Sequence, residues 1–140
     1  MKLYGKFQHT IDNKGRLFIP SRLREKFGKG FFVTISWEAC LTIYSIERWE
    51  SAEEKLRTLS QTAQMEMRSI FSNAVYLEPD AQGRVVLPQN LREHAGLTKE
   101  VTIIGTGLYV QIWDTDKYKQ IEEVELDRDN LKHVIDKYGF

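Results

Sequence analysis

The spacing of apolar residues changes along this 140-residue chain, and each spacing predicts a different kind of element. Short runs rich in β-branched and aromatic residues predict strands, which in the first half cover residues 3–11, 16–19, 31–35 and 40–44. Between residues 46 and 73 the apolar residues instead recur every three or four positions, which predicts amphipathic helix. Ser60-Gln-Thr62 interrupts this pattern, so we expect two helices, over about 46–59 and 62–73. Their apolar sides are expected to pack on the protein's own sheet, the alternative being a partner protein.

The second half repeats this order of elements. Strand-like runs cover about 73–78, 101–104 and 108–113. Asp114 or Thr115 can cap a helix that runs to about Glu125, and Asp127 can cap a last helix that runs to about Tyr138. The pattern predicts an α+β fold with a mainly β core.

One segment of the chain occurs twice, 68 positions apart. Residues 12–28 read DNKGRLFIPSRLREKFG and residues 80–96 read DAQGRVVLPQNLREHAG. The matching residues, in order, are Asp, Gly, Arg, Pro, Leu, Arg, Glu and Gly. An internal repeat of this kind indicates a duplicated structural unit.

The start of each copy is typical of a tight turn. Asp12 and Asp80 take the first turn position, where a carboxylate accepts hydrogen bonds from the backbone N–H groups that follow. Gly15 and Gly83 take the fourth, where a left-handed backbone is favourable only for glycine. A type I turn followed by such a glycine commonly connects a β-hairpin. We therefore predict a hairpin at the start of each copy.

The rest of each copy predicts a short helix. Proline directly after the second strand suits the start of a helix, because its missing N–H is not needed there. The helices are expected over Ser21–Phe27 and Gln89–Ala95, with Gly28 and Gly96 as their C-terminal stops. Each unit then reads strand, turn, strand, helix, strand, strand, helix.

The repeat suggests a division of the chain into four parts. We expect a first unit over 3–49, connecting helices over 50–73, a second unit over 74–118 and a C-terminal helical part over 119–140. No linker rich in Pro, Gly or Ser separates the two units, which favours one pseudo-symmetric body.

Composition is that of an ordinary globular protein, with 41% hydrophobic and 29% charged residues and a formal net charge of zero. The charge is unevenly distributed. Residues 1–30 carry five Lys and three Arg against two acids, whereas residues 114–140 carry eight acids against five bases. A basic patch of this kind fits a nucleic-acid partner, the alternative being helix faces with mixed charge in solvent.

Other classes of protein find little support. No apolar run approaches the roughly 20 residues of a membrane span, and no signal peptide is evident, so we expect an intracellular, non-membrane location. The single cysteine, Cys40, is expected to be buried in a strand. His9, His94 and His133 lack the spacing of metal ligands, and Ser21 has no neighbouring base. We expect no catalytic site, no metal, no cofactor and no small-molecule substrate.

The repeated Asp-x-x-Gly-Arg-x-x-x-Pro-x-x-Leu-Arg pattern resembles the hallmark of AbrB/SpoVT-like swapped-hairpin DNA-binding domains. Two copies in a chain of this length, with Ser-Asn-Ala-Val ahead of the second and Ile-Trp-Asp after it, resemble the MraZ family of transcriptional regulators. The resemblance covers nearly the whole chain. It implies a duplicated swapped-hairpin barrel with flanking helices.

The resemblance also implies DNA-binding residues. The family's DNA-contact arginines fall on Arg16 and Arg84, whose guanidinium groups can bond a guanine edge or hold a phosphate. Gly15 and Gly83 let the backbone of each turn approach the DNA.

Further basic residues of the first copy are expected to contact phosphates, which position a protein without specifying sequence. They are Lys14, Arg22 and Arg24, although Arg24 could instead form an ion pair on the helix surface. The second copy has less positive charge, because Gln82, Asn90 and His94 replace the first copy's Lys14, Arg22 and Lys26.

The function implied by the resemblance is a cytoplasmic, nucleoid-associated regulator, in the family a repressor of bacterial division and cell-wall gene clusters. It would bind repeated promoter boxes in double-stranded DNA and assemble into a ring of several copies. The alternative is an oligomeric protein-interaction or antitoxin-like module of the same fold, because a fold does not fix a function.

Overall fold

The computed structural model describes residues 2–140, and within them the chain forms eight β-strands and seven α-helices. The strands are β1 Leu3–Thr10, β2 Arg16–Phe18, β3 Phe31–Ile35, β4 Leu41–Ser45, β5 Val75–Leu77, β6 Arg84–Val86, β7 Glu100–Gly107 and β8 Val110–Asp114. The helices are α1 Ser21–Phe27, α2 Ile46–Thr58, α3 Gln61–Glu66, α4 Arg68–Ser72, α5 Gln89–Ala95, α6 Thr115–Glu125 and α7 Arg128–Tyr138. The predicted duplicated α+β fold is confirmed.

The two units exchange their first strands. β1 of the first unit pairs with β7 of the second, and β5 of the second unit pairs with β3 of the first. The result is one antiparallel six-stranded sheet in the order β1-β7-β8-β4-β3-β5. Neither unit completes its own sheet, which explains why no linker separates them. Among the described residues this sheet is open, since backbone pairing does not join β1 to β5.

A second, two-stranded sheet joins the units at their hallmark segments. β2 and β6 run antiparallel, with Leu17 opposite Val85. We call this pair of strands the central ribbon. The prediction of an ordinary hairpin in each copy is therefore corrected. The turns form, but β2 reaches the end of β1 through one isolated bridge, from Leu17 to Ile11, the residue after β1. The physical reason is burial. β2 and β6 each have one inward apolar side chain, Leu17 and Val85, and pairing the two strands places both in the shared core.

The short helices α1 and α5 follow the prolines with the predicted bounds. Each buries one apolar side against the shared core, Leu23 and Phe27 in α1 and Leu91 and Ala95 in α5. The glycines after them have positive φ angles of 69° and 60°, so both helices end where left-handed backbone begins. These helices close the core beneath the central ribbon.

The connecting helices differ in part from the prediction. α2 packs on the sheet as expected, with the buried ring of Trp49 stacked 5.3 Å from Phe32 between ring centroids. The second predicted helix is divided at Met67 into α3 and α4, so its prediction as one helix is wrong. The division brings Phe71 of α4 to 5.0 Å from the Trp49 ring, against the same sheet.

The last two helices begin at the predicted cap residues. The side chains of Asp114 and Asp127 cap α6 and α7 by accepting hydrogen bonds from backbone N–H groups. Within residues 2–140, no helix is both long and apolar enough to cross a membrane. The boundaries of the four parts remain a prediction.

Candidate nucleic-acid interface

The two turns have the same geometry. Asp12 Oδ1 accepts hydrogen bonds from the backbone N–H of Lys14 at 3.0 Å and of Arg16 at 2.9 Å. In the second copy, Asp80 Oδ1 accepts from Gln82 at 2.8 Å and Arg84 at 3.0 Å. Each aspartate therefore holds the backbone of its own turn through two hydrogen bonds.

The turn glycines are required for two reasons. Gly15 and Gly83 both have φ of 83°, which other residues rarely adopt. A Cβ on Gly15 would also lie 2.5 Å from the backbone oxygen of Leu87, in the other unit. That closeness reflects a hydrogen bond from Leu87 N to Gly15 O of 2.8 Å, and Ile19 N donates to Gly83 O at 2.9 Å in the same way. Each turn is therefore attached to the opposite unit.

The two hallmark arginines are held differently by their turns. Arg16 Nε donates to Asp12 Oδ2 at 2.6 Å, whereas Arg84 Nε lies 3.4 Å from Asp80 Oδ2 and makes no hydrogen bond. Hydrogen bonds from the Arg16 backbone and side chain hold the pKa of Asp12 below its usual value. The backbone bond from Arg84 is the main cause of the lowered pKa of Asp80. Both carboxylates therefore stay ionised and keep each arginine near its turn.

The ribbon places both arginines on one surface. Since side chains alternate along a strand, the burial of Leu17 and Val85 directs Arg16, Phe18 and Arg84 outward. Arg16 pairs with Val86 and Arg84 with Phe18, so the arginines lie diagonally on one face. Diagonal neighbours of this kind are roughly 7–8 Å apart. The two copies therefore form a single surface with an arginine at each end.

This surface suits a polyanion that presents hydrogen-bond acceptors. An arginine that uses Nε on a carboxylate keeps the other N–H groups of its planar guanidinium. Those groups can bond both acceptors of a guanine edge in the major groove, or a phosphate. The side chains of Arg16 and Arg84 are about two-fifths exposed, at 42% and 41%, so both remain accessible.

The other predicted contact residues lie beside the ribbon in different roles. Lys14 is exposed in the first turn. Arg22 lies on α1 with its guanidinium 5.9 Å from the centre of the Phe7 ring. Arg24 is half-buried, and its Nε donates to Ile19 O at 2.7 Å, so it is not an exposed helix ion pair.

Sequence reasoning missed the structural role of this arginine and of its counterpart. Arg92 Nε donates to Leu87 O at 2.9 Å, as Arg24 does to Ile19 O. A Cβ on Gly83 would lie 2.6 Å from Arg24 Cζ, so the guanidinium lies directly behind the opposite turn. Their 68-residue spacing within the repeat was the available signal. Both arginines support the turns from behind.

Within residues 2–140, no three or more His, Cys, Asp or Glu side chains are grouped to hold a metal ion. Cys40 is buried as expected, although it lies in the bend before β4 and not in the strand. Burial raises the pKa of its thiol to about 11, so it stays protonated at neutral pH.

Comparison with known proteins gives a consistent result. The family described as "MraZ protein, putative antitoxin-like" matches the chain twice, over residues 3–69 and 70–135. Three relatives are each named "Transcriptional regulator MraZ". That of Acetivibrio thermocellus is 45% identical over 119 residues, 83% of each chain, and that of Heliobacterium modesticaldum is 46% identical over 122 residues, 85% of each. That of Alkaliphilus metalliredigens is 40% identical over 139 residues, 96% of this chain and 97% of the relative.

Proposed function

This chain belongs to the MraZ family, and we propose that it is a transcriptional regulator that binds duplex DNA through the central ribbon. The observation that carries this proposal is the position of Arg16 and Arg84 on one exposed face of the ribbon. Relatives that are 40–46% identical to this chain are named as transcriptional regulators, which supports a nucleic-acid partner.

In the proposed complex, the ribbon approaches the major groove. A two-stranded β-ribbon fits that groove, which is about 12 Å wide. Arg16 and Arg84 bond base edges, Gly15 and Gly83 allow close approach, and Lys14 and Arg22 contact phosphates. Arg24 acts mainly by supporting the opposite turn, and any phosphate contact uses its remaining N–H groups.

The resemblance to the family implies the cellular role. We infer a repressor that acts in the cytoplasm at the nucleoid, on promoters of the division and cell-wall gene cluster. A ring of several copies would present many ribbons to repeated boxes. Once one ribbon is bound, the others bind from a high effective concentration, so avidity exceeds single-site affinity by about 10²–10⁴.

Genomic footprinting of the tagged protein tests the proposal, because it reports the target and its sequence together. We expect a few strong sites, each with a repeated box, upstream of division or cell-wall genes. The Arg16→Ala and Arg84→Ala double variant, expressed at the same level, is the control and should lose these sites. A footprint without repeated boxes, or one that the double variant retains, would reject this mode of binding.

A second candidate function is an antitoxin-like protein-binding module, which the family's description includes. The structural observation in its favour is α7, whose apolar residues Leu131, Val134, Ile135 and Tyr138 are exposed in the described chain. Retention on heparin or promoter DNA that falls steeply with salt favours the regulator. Retention that is indifferent to salt and to the arginines favours the protein-binding module.

A further inference from the structure

A groove of about 670 Å³ opens beside the central ribbon, and it is lined from both units. The first unit contributes Thr10, Asp12 and Arg16, and the second contributes Arg84 and Lys99, among others. Arg16 and Arg84 belong to the proposed DNA surface, whereas Lys99 belongs to the loop before β7. The groove therefore extends the ribbon surface to one side.

Positive charge dominates the lining of this groove. Its three cationic side chains, Arg16, Arg84 and Lys99, face one lining carboxylate, that of Asp12. That carboxylate is already paired with Arg16 at 2.6 Å. Lys99 makes no ion pair with any residue in the described chain. Glu100, the next residue, lies opposite Thr10 in the register of β1 and β7 and lines a neighbouring groove with Thr10 and Lys119.

The repeat allows a comparison with the other side of the ribbon. Lys99 precedes Val101 of β7 by two residues, and Lys29 precedes Phe31 of β3 by two. Val101 and Phe31 pair with counterpart residues of the exchanged strands β1 and β5, so the two lysines are structural counterparts.

The counterpart lysine is paired with a carboxylate. Lys29 Nζ lies 3.8 Å from Glu78 Oε2, and the same oxygen accepts a hydrogen bond from the Tyr76 hydroxyl at 2.9 Å. The first unit has Thr10 at the position that Glu78 occupies in the second. Each side therefore carries one lysine and one glutamate, since Glu100 lies opposite Thr10 in the register of β1 and β7. The sides differ because Lys29 is paired with its glutamate whereas Lys99 makes no ion pair in the described chain, and this difference breaks the two-fold symmetry of the surface.

We propose that Lys99 and Thr10 form a binding site for one DNA phosphate on this side of the ribbon alone. The inference rests on the proposed function. A lysine ammonium binds phosphate as a point charge, and a threonine hydroxyl donates a hydrogen bond to a phosphate oxygen. On the other side, Glu78 pairs with Lys29, so that lysine is not free to bind a phosphate. The protein therefore binds each box in one orientation, although its fold is nearly two-fold symmetric.

The test compares Lys99→Ala with Lys29→Ala, a matched pair that removes one positive charge at counterpart positions. The probe is a duplex with a single box taken from the genomic footprint, and affinity is measured from 0.05 to about 0.3 M salt. Each lost phosphate contact lowers the log–log salt slope by about 0.9, which corresponds to about five- to tenfold weaker binding near 0.1 M salt. We expect this loss for Lys99→Ala and no change for Lys29→Ala.

A methylphosphonate scan of the same duplex locates the contact. Replacing one phosphate at a time should reveal a position where the neutral methylphosphonate weakens DNA binding by the parent protein but not by Lys99→Ala. Equal loss from both lysine variants, or none from either while Arg16→Ala still weakens binding, would overturn this inference and leave the proposed function standing. Failure of the parent to prefer the box over scrambled DNA would overturn both.

A free phosphate ion is the other ligand with the chemistry that this groove fits. Inorganic phosphate, added to the DNA-free protein at constant ionic strength, should leave the amide resonances of Thr98 and Lys99 in place, whereas the box duplex should shift them. Saturable shifts with phosphate alone would assign the groove to a small anion and contradict the DNA site.

Discussion

Leu17 and Val85 occupy the same position in the two copies of the repeat, and they pair directly with each other across the central ribbon. A pair of counterparts in register defines a local two-fold axis between them. Arg16 directly precedes Leu17 and Arg84 directly precedes Val85, so the axis brings both arginines onto one surface. The unit that contacts DNA is therefore the paired ribbon and not a single turn.

The attachment of each turn to the other unit predicts a graded cost of glycine substitution. Gly15→Ala combines an unfavourable φ with contact to a backbone oxygen, which cannot move aside, and should cost on the order of 1–3 kcal/mol or more. Gly83→Ala meets the flexible Arg24 side chain and should cost less. Gly28→Ala has a similar φ with nothing within 4 Å, so it is the control for φ alone. Urea unfolding measures the series, and equal losses at all three positions would show that the cross-unit contact is unimportant.

The unequal ion pairs predict unequal titration of the two turn aspartates. Arg16→Ala should raise the pKa of Asp12, although not to its ordinary value, because the backbone N–H bond at that position remains. Arg84→Ala should raise the pKa of Asp80 less, since the Arg84 side chain makes no hydrogen bond to Asp80 and contributes the smallest causes of its lowered pKa. Carboxyl ¹³C NMR titration measures both. A larger shift at Asp80 than at Asp12 would contradict the geometry.

The same pKa shifts set the direction of a pH effect on stability. Both aspartates have pKa values that are lower in the folded chain than in an unfolded one. Their contribution is thus fully present above the ordinary Asp pKa, about 3.9, and is lost as pH falls through the folded-state value. The stability difference between the parent and Asp12→Asn should shrink below about pH 4. A difference that grows on acidification would contradict this sign.

The position of Arg24 predicts a structural effect. Arg24→Lys keeps the charge but loses the bond from Nε to Ile19 O, which should cost about 0.5–1.5 kcal/mol of the free energy of unfolding. Arg92→Lys is the matched variant and should lose a similar amount, through Leu87 O. The salt slope of DNA binding should stay unchanged in both. Normal stability with weaker DNA binding would instead make Arg24 a phosphate contact.

Local elements were predictable because local chemistry determines them. The turns follow from Asp and Gly at fixed spacing, and α1 and α5 follow from Pro at one end and Gly at the other. The cap residues Asp114 and Asp127 likewise placed the starts of α6 and α7.

The exchange of strands was not predictable in the same way. Whether β1 pairs with β2 or with β7 depends on residues about 90 positions apart, and both pairings satisfy the same alternation of apolar residues. The same limit applied to the site. The sequence indicated Arg16 and Arg84 as DNA-contact residues of two separate hairpins, because only long-range pairing brings them together. The division at Met67 likewise depends on packing of α4 against the sheet.

The proposed ring predicts cooperation between boxes. DNA with several boxes should bind about 10²–10⁴-fold more tightly than DNA with one, and with a steeper salt slope. Shifting one box by half a helical turn, about 5 base pairs, should remove most of the gain, because the ribbon then faces the wrong side of the duplex. Anisotropy titrations on the three duplexes measure this. Identical affinities and slopes would exclude multivalent binding.

The central claim is that the paired ribbon binds DNA through both hallmark arginines, and the most direct test is the affinity of single-arginine variants for one box. At one salt concentration, Arg16→Ala should weaken binding by about 1–3 kcal/mol, as expected for loss of a base contact, and Arg84→Ala by a smaller but measurable amount. Arg57→Ala, which removes the same charge from α2 far along the chain from the ribbon, should bind like the parent. If Arg16→Ala and Arg84→Ala both bind the box like Arg57→Ala, the ribbon is not the DNA-binding surface.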